Sequence, residues 1–268
     1  MTDALLVLAI DLVRRAGALI LAGRGSAADD VTTKTSPTDV VTAMDRAAER
    51  LVVDALHAAR PGDGVLGEEG GETQGSGGVR WLIDPIDGTV NYLYGLPAYA
   101  VSLAAEVDGV MAVGAVYNPA IDELWTAVRG EGAWLDGRRL GVDRRSGPEV
   151  ASLDQALVAT GFGYGATRRR SQAAVVATLL PEVRDIRRFG AASLDLCSAA
   201  TGRVDAYFER GLEPWDLAAG GLIASEAGLL VTGLSGAPAG GEMVVAAPPA
   251  LHAALHDRLV ALAADAGP

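Results

Sequence analysis

Residues 81–92 read WLIDPIDGTVNY, an apolar run ending in two acids three positions apart, Asp84 and Asp87. Two carboxylates this close repel each other unless a cation holds them, and a hard divalent metal suits an all-oxygen donor pair. Gly88 allows close approach of the backbone, and Thr89 is expected to open a short helix whose free N–H groups and dipole suit a phosphate. An isolated D-x-x-D-G is more often an ordinary turn with solvated caps. Other acids change the balance. Glu68 and Glu69 close the strand-like GVLGEE, and alternation along a strand lets one of them face the same cleft. Asp45 falls in the first turn of a helix capped by Thr42, and Asp216, in EPWDLAAGG, reads by itself as a helix N-cap. Five acids, each at the end of an element, point to a shared site.

The elements that must position them follow from periodicity. Residues 3–22 carry apolar side chains at helical spacing, and a second helix runs from Thr42 to about Arg60. Lys34 to Asp39 forms a turn around Pro37. Short strands GVLGEE, VRWLID and AVSLAAEV follow, and the Asp108-Gly109 and Asp136-Gly137 pairs predict hairpin turns in an antiparallel meander. Gly70 to Gly78 reads as a flexible surface loop. Polar residues over 144–152 mark a boundary between an N-terminal α+β subdomain, 1–147, and a C-terminal α/β subdomain, 148–268. Beyond it strands (ALVATGF, DIRRF, VDAYFE) alternate with helices over 167–180, 191–200, from Trp215 and after Pro249, which favours a mixed sheet covered by helices.

Composition narrows the function classes. The 268 residues include 34 acids against 22 bases, for a net charge of −12, and half are hydrophobic. That balance disfavours a broad nucleic-acid surface, so no nucleic-acid partner is expected. Charges interrupt the apolar start (Asp3, Asp11, Arg14, Arg15), unlike a signal peptide, and no run is long enough to span a bilayer, so no membrane association is expected. A single cysteine, Cys197, forbids an intrachain disulfide and fits the cytoplasm.

Three weaker patterns compete. Cys197 and Arg203 have the C-x5-R spacing of cysteine-dependent phosphatases, but the residues between read as a helix end stopped by Gly202. GFGYGA, 161–166, loosely fits a dinucleotide-binding turn, with Asp185 at a ribose-contact distance, and reads better as a flexible loop near the cleft. The run Arg168 to Arg170 is expected on a solvated helix face, with a secondary role in attracting an anionic substrate. His57, His252 and His256 lie outside every motif, which argues against a Ser-His-Asp arrangement. Trp81 and Trp215 are expected to pack rather than stack on a ligand.

GEE (67–69), DPIDGT (84–89) and WDLAAG (215–220), preceded by KTSPTDVVTAMD (34–45) and accompanied by FGAASLDL and VDAYFE, resemble the inositol monophosphatase family in the order expected, over about residues 5–260. The resemblance implies an α+β fold, a layered αβαβα sandwich with an antiparallel-rich N-terminal sheet and a mixed C-terminal one. It implies magnesium-dependent, lithium-sensitive hydrolysis of a small polyol phosphate, inositol 1-phosphate foremost, by a homodimer. Position by position, Glu68, Asp84 and the Ile86 carbonyl would hold one magnesium ion, and Asp84, Asp87 and Asp216 a second, with two or three ions per site. Asp45, Glu68 and Thr89 would be catalytic, Thr89 and Asp45 by orienting or deprotonating the attacking water. Gly88 and Thr89 amides would bind phosphate, and Asp87, Glu209, Asp216 and the backbone at Ala192 would contact the rest of the substrate. Members acting on fructose 1,6-bisphosphate, histidinol phosphate or adenosine 3′,5′-bisphosphate share these motifs, and a non-catalytic regulatory protein is the reading from another class.

Overall fold

The computed structural model describes residues 2–26, 31–33, 40–141, 150 and 152–267. The turn expected over 34–39 and most of the boundary expected over 144–152 lie outside them.

The first half runs α1 (Thr2–Gly23), β1 (Val31–Thr33), β2 (Val40–Thr42), α2 (Ala43–Ala59), β3 (Gly64–Gly67), β4 (Gly71–Thr73), β5 (Val79–Asp87) and α3 (Thr89–Tyr94). It continues with β6 (Ala100–Val107), β7 (Val110–Asn118), β8 (Glu123–Val128), β9 (Gly132–Leu135) and β10 (Arg138–Arg139). The second half holds β11 (Leu157–Thr160), α4 (Ala166–Leu179), β12 (Asp185–Arg187), α5 (Ala192–Thr201), β13 (Ala206–Glu209), α6 (Pro214–Glu226), β14 (Leu230–Thr232), β15 (Val244–Ala247) and α7 (Pro249–Ala261).

Among the described residues, eight strands form one sheet in the order β10-β9-β8-β7-β6-β5-β3-β4, antiparallel except where β3 runs parallel to β5. A five-stranded mixed sheet, β12-β11-β13-β15-β14, is parallel at its first two pairings and antiparallel at the others. The expected hairpin turns are present. Asp108 and Gly109 have φ of 51° and 81°, and Asp136 and Gly137 have 49° and 74°, the left-handed pair that a tight turn between twisted strands requires.

Alternation along the strands assigns their faces. Trp81 and Ile83 of β5 and Val101 and Leu103 of β6 turn towards α1 and α2, while Leu82, Ala100 and Ala104 turn towards α5 and α6. In the smaller sheet, Ala159, Tyr207 and Ala246 join that same α5–α6 layer, and Val158, Phe208 and Val245 face α4 and α7. The result is helix, sheet, helix, sheet, helix, the layered α+β sandwich the motifs imply. Both faces of each sheet are covered, so these strands read as near-continuous apolar runs. No helix among the described residues is long and apolar enough to cross a membrane.

The middle layer lies close on the large sheet because Gly114 of β7 has no side chain. A Cβ there would come within 3.1 Å of both Cα and O of Ala219 on α6. Gly114→Val is therefore expected to cost about 1–3 kcal/mol through overpacking, and an unchanged melting temperature would show that α6 can retreat.

The segment 70–78 departs from the sequence reading. Gly71–Thr73 pairs antiparallel with β3, Leu66 opposite Glu72, because a neighbouring strand supplies the hydrogen bonds that a glycine-rich composition does not suggest.

Candidate active site

Acids three apart on a regular strand would point to opposite faces. Asp84 and Asp87 do not, because β5 bulges between them: Asp84 opposes Ser102 and Asp87 opposes Ala100, three residues of β5 spanning two of β6. The bulge turns both carboxylates into one cleft of about 520 Å³, which Glu68, Asp216, Gly88, Thr89 and Glu209 also line. Asp84 Oδ1 accepts the Ile86 N–H at 3.1 Å, fixing the turn at Pro85.

Each remaining acid reaches the cleft by its own device. Glu68 follows β3, where the buried Glu49 of α2 accepts the N–H groups of Glu69 at 2.9 Å and Gly70 at 2.5 Å. A Cβ on Gly67 would lie 2.6 Å from the Glu49 carboxyl carbon, so the glycine of GEE makes room for this clamp. Glu69 contributes instead to the field at Asp45. Asp45 is the third residue of α2 in a capping box with Thr42, accepting its N–H at 2.7 Å and its hydroxyl at 2.6 Å on Oδ2. Its other oxygen lies 3.0 Å from the Thr89 hydroxyl, which is also 3.0 Å from the Ile86 carbonyl. Asp216 is not the cap of α6: Glu213 holds that place, Pro214 starts the helix, and Asp216 closes a capping box by accepting the Glu213 N–H at 2.8 Å. Proline at the first helical position moves the cap upstream.

Several contributors escape sequence reasoning. Asp87 Oδ1 accepts the Ala192 N–H at 3.1 Å, and Oδ2 accepts the N–H and hydroxyl of Ser193 at 2.7 and 2.5 Å. The N–H at Ala192, an expected substrate contact, is thus engaged by Asp87. Asn91 ties α3 to the carbonyls of Ala98 and Phe189, both at 2.7 Å. Gly88 sits at φ 90°, and a Cβ there would be 2.9 Å from the Ala98 carbonyl, so only glycine fits. Tyr207 donates to Glu209 at 2.7 Å. Asp195 is fully buried, and the charges of Glu209 and Asp87 add to that burial in pushing its carboxyl well above the usual range.

Electrostatics marks the acids as a cluster. Burial first, then the charges of Glu68, Asp87 and Asp216, push the Asp84 carboxyl well above its usual range, and a hydrogen bond with Glu68 adds to this. Burial and Asp87 do the same for Asp216. Asp87 rises less, since the Ser193 bonds oppose its burial, and burial raises Asp45 despite its partners. Glu209 is pushed up to about 7 by burial, against the Tyr207 bond and Arg188. An acid raised in the folded state stabilises the fold below its unfolded pKa and loses that contribution as pH climbs through the folded value. With a divalent-ion chelator present, the melting temperature is expected to fall as pH rises from about 4.5 through about 7. A flat or rising profile across that window would contradict the cluster.

The donor set is all carboxylate and carbonyl oxygen, and its acids raise one another's affinity for protons, so it fits a hard divalent cation in place of those protons. Among the described residues, however, no three acids already close on a single metal-holding point.

The competing motifs resolve otherwise. Cys197 is wholly buried within α5, its thiol pushed well above the usual range by burial, and Arg203 is paired with Glu123. The loop 161–165 lines the cleft ahead of α4. His57 is exposed on α2, whereas His252 is buried beside Thr232. Trp81 is buried and donates to Asp63 at 2.9 Å; Trp215 lines the cleft.

Fold and cleft together are those of a phosphatase. The family model of the inositol monophosphatase family matches residues 1–266, and the chain belongs to that family. An inositol-1-monophosphatase of Mycobacterium bovis is 48% identical over 246 residues, 89% of this chain and 84% of that one. The protein named Nus factor SuhB in Escherichia coli K12 is 40% identical, over 87% of this chain and 86% of its own. The crystal structure of the extragenic suppressor protein suhB from Bartonella henselae superposes with a TM-score of 0.88 at 35% identity, covering 96% of this chain and 98% of that one.

Proposed function

We propose that this phosphatase hydrolyses a small polyol phosphate monoester, inositol 1-phosphate foremost, with magnesium as cofactor. The convergence of Glu68, Asp84, Asp87 and Asp216 on one cleft beside Gly88 and Thr89 carries the reading. Glu68, Asp84 and the Ile86 carbonyl would hold one ion, and Asp84, Asp87 and Asp216 another. Bound magnesium neutralises phosphoryl oxygens and acidifies water. Asp84 would be a ligand to both ions, whose charge would offset the cost of its burial. The amides of Gly88 and Thr89 bind phosphate oxygens at the mouth of α3. Thr89, held by Asp45, orients the attacking water, and Asp45 takes its proton through that hydroxyl. Asp87, Glu209 and Asp216 take the hydroxyls of the polyol, with Tyr207 fixing Glu209.

The test is phosphate release from a panel of esters, with and without magnesium. Magnesium-dependent release that favours inositol 1-phosphate supports the assignment; uniform or negligible release across the panel defeats it. The same reading expects inhibition by lithium and a homodimer, the latter decided by sedimentation, in a protein working in the cytoplasm.

A further inference from the structure

One wall of the cleft is the segment GFGYG, 161–165, every residue of which lines it. Three glycines in five positions leave the segment little conformational preference of its own, so its shape has to be imposed from outside. Two side chains of α4 impose it. Gln172 Oε1 accepts the Gly163 N–H at 3.0 Å, and Arg169 Nε donates to the Gly163 carbonyl at 2.8 Å. Arg169 does this from an exposed position, whereas Gln172 is buried and stands behind the wall, outside the cleft lining itself.

The other end of the same amide is engaged on a different element. Gln172 Nε2 donates to the Arg210 carbonyl at 3.3 Å, one residue beyond Glu209 at the end of β13. That strand end is anchored in turn: the Arg210 guanidinium donates to the carbonyls of Ala266 and Gly267, after α7, and the Gly211 N–H to the Gly241 carbonyl at 2.7 Å. Loop and strand end also touch directly, since a Cβ on Gly161 would clash with the Glu209 carboxylate. An amide suits the bridge because it carries acceptor and donor on one planar group. A carboxylate would set an oxygen against the Arg210 carbonyl, and an apolar side chain would forfeit both bonds.

We propose that Gln172 is a positioning residue for the polyol half of the substrate: by tying loop 161–165 to the strand end that carries Glu209, it fixes the wall that receives the hydroxyls and so sets selectivity among esters. The inference rests on the phosphatase reading above and deepens it by naming a residue that governs recognition from outside the cleft. Gln172 bonds to none of Glu68, Asp84, Asp87, Thr89 or Asp216, so the phosphate and the bond that breaks lie beyond its reach.

The experiment compares kcat and KM, with magnesium, for inositol 1-phosphate and for phenyl phosphate, whose leaving group offers the wall no polyol. Gln172→Met, close in volume, should raise KM for inositol 1-phosphate about tenfold, with kcat and the constants for phenyl phosphate within about twofold of wild type. Gln172→Glu keeps the acceptor for Gly163 and should show a smaller rise, about threefold; it carries the comparison if the methionine variant does not fold. Equal losses on the two esters, a loss confined to kcat, or an unchanged KM for inositol 1-phosphate would overturn the proposal. Amide hydrogen exchange in the metal-free protein reads the loop without turnover. Exchange over 161–165 should quicken about tenfold in Gln172→Met and stay nearer wild type in Gln172→Glu, with α5 keeping its protection. Unchanged loop exchange in Gln172→Met refutes the positioning role. Release of phosphate from neither ester by the wild type would sink the phosphatase reading instead, and the exchange rates alone then decide whether Gln172 holds the wall.

Discussion

Asp84→Asn is expected to abolish phosphate release while making the metal-free protein harder to unfold. The side chain is 3% exposed and faces the charges of Glu68, Asp87 and Asp216, so its ionised form is costly until a cation arrives. Asparagine keeps the shape and can keep the bond from the Ile86 N–H, but it brings no charge. Turnover should drop by about a thousandfold or more, roughly 4 kcal/mol of lost transition-state stabilisation. In chelator at pH 8 the same variant should be more stable than the wild type, because burial and the neighbouring acids make the ionised Asp84 side chain destabilising there. The measurement is a higher melting temperature for the variant than for the wild type in chelator. Retained turnover, or a lower melting temperature in chelator, would show that Asp84 is a structural acid.

The second large effect concerns Thr89 and Asp45, which meet across 44 residues of chain. Thr89→Val removes a hydroxyl at nearly constant volume and leaves the Thr42–Asp45 capping box in place. If the pair handles the water proton, kcat should fall by about 10²–10³-fold with KM little changed. Because the two act as a unit, Asp45→Asn added to Thr89→Val should cost little more than either alone. Additive losses, or a loss confined to KM, would return Thr89 to the role of a helix-opening residue. Thermal unfolding of Thr89→Val, expected near wild type, separates this from simple misfolding.

The acids of the cleft are legible in the sequence because each falls at the end of an element that periodicity can find: Asp45 after the Thr42 cap, Glu68 after β3, Asp84 at the end of an apolar run. What periodicity cannot show is how they converge. The spacing of Asp84 and Asp87 would send them to opposite faces, and only the bulge against β6 reconciles it. Glu49 carries no motif, and Ser193 and Tyr207 fall inside FGAASLDL and VDAYFE without either segment showing what they hold. Their work is done on partners such as Gly70, Asp87 and Glu209, and Ser193 stands 106 residues from the acid it holds. Local readings fail where a neighbour overrules composition, as at Gly71–Thr73, or where one residue shifts a cap, as Pro214 does for Asp216. The loop reading of 161–165 places it near the cleft correctly, yet the arginine beyond it turns inward, away from the solvated face its run suggests.

The middle helical layer has a practical consequence. Cys197, the sole cysteine, is 0% exposed in α5 between the two sheets, and its thiol is held firmly protonated by that burial. An alkylating reagent can meet it only when the layer parts, so the rate of labelling at this one atom is a native clock for opening of the interior. Without any engineered probe, that clock would register how tightly cation or substrate binding in the cleft clasps the two sheets together.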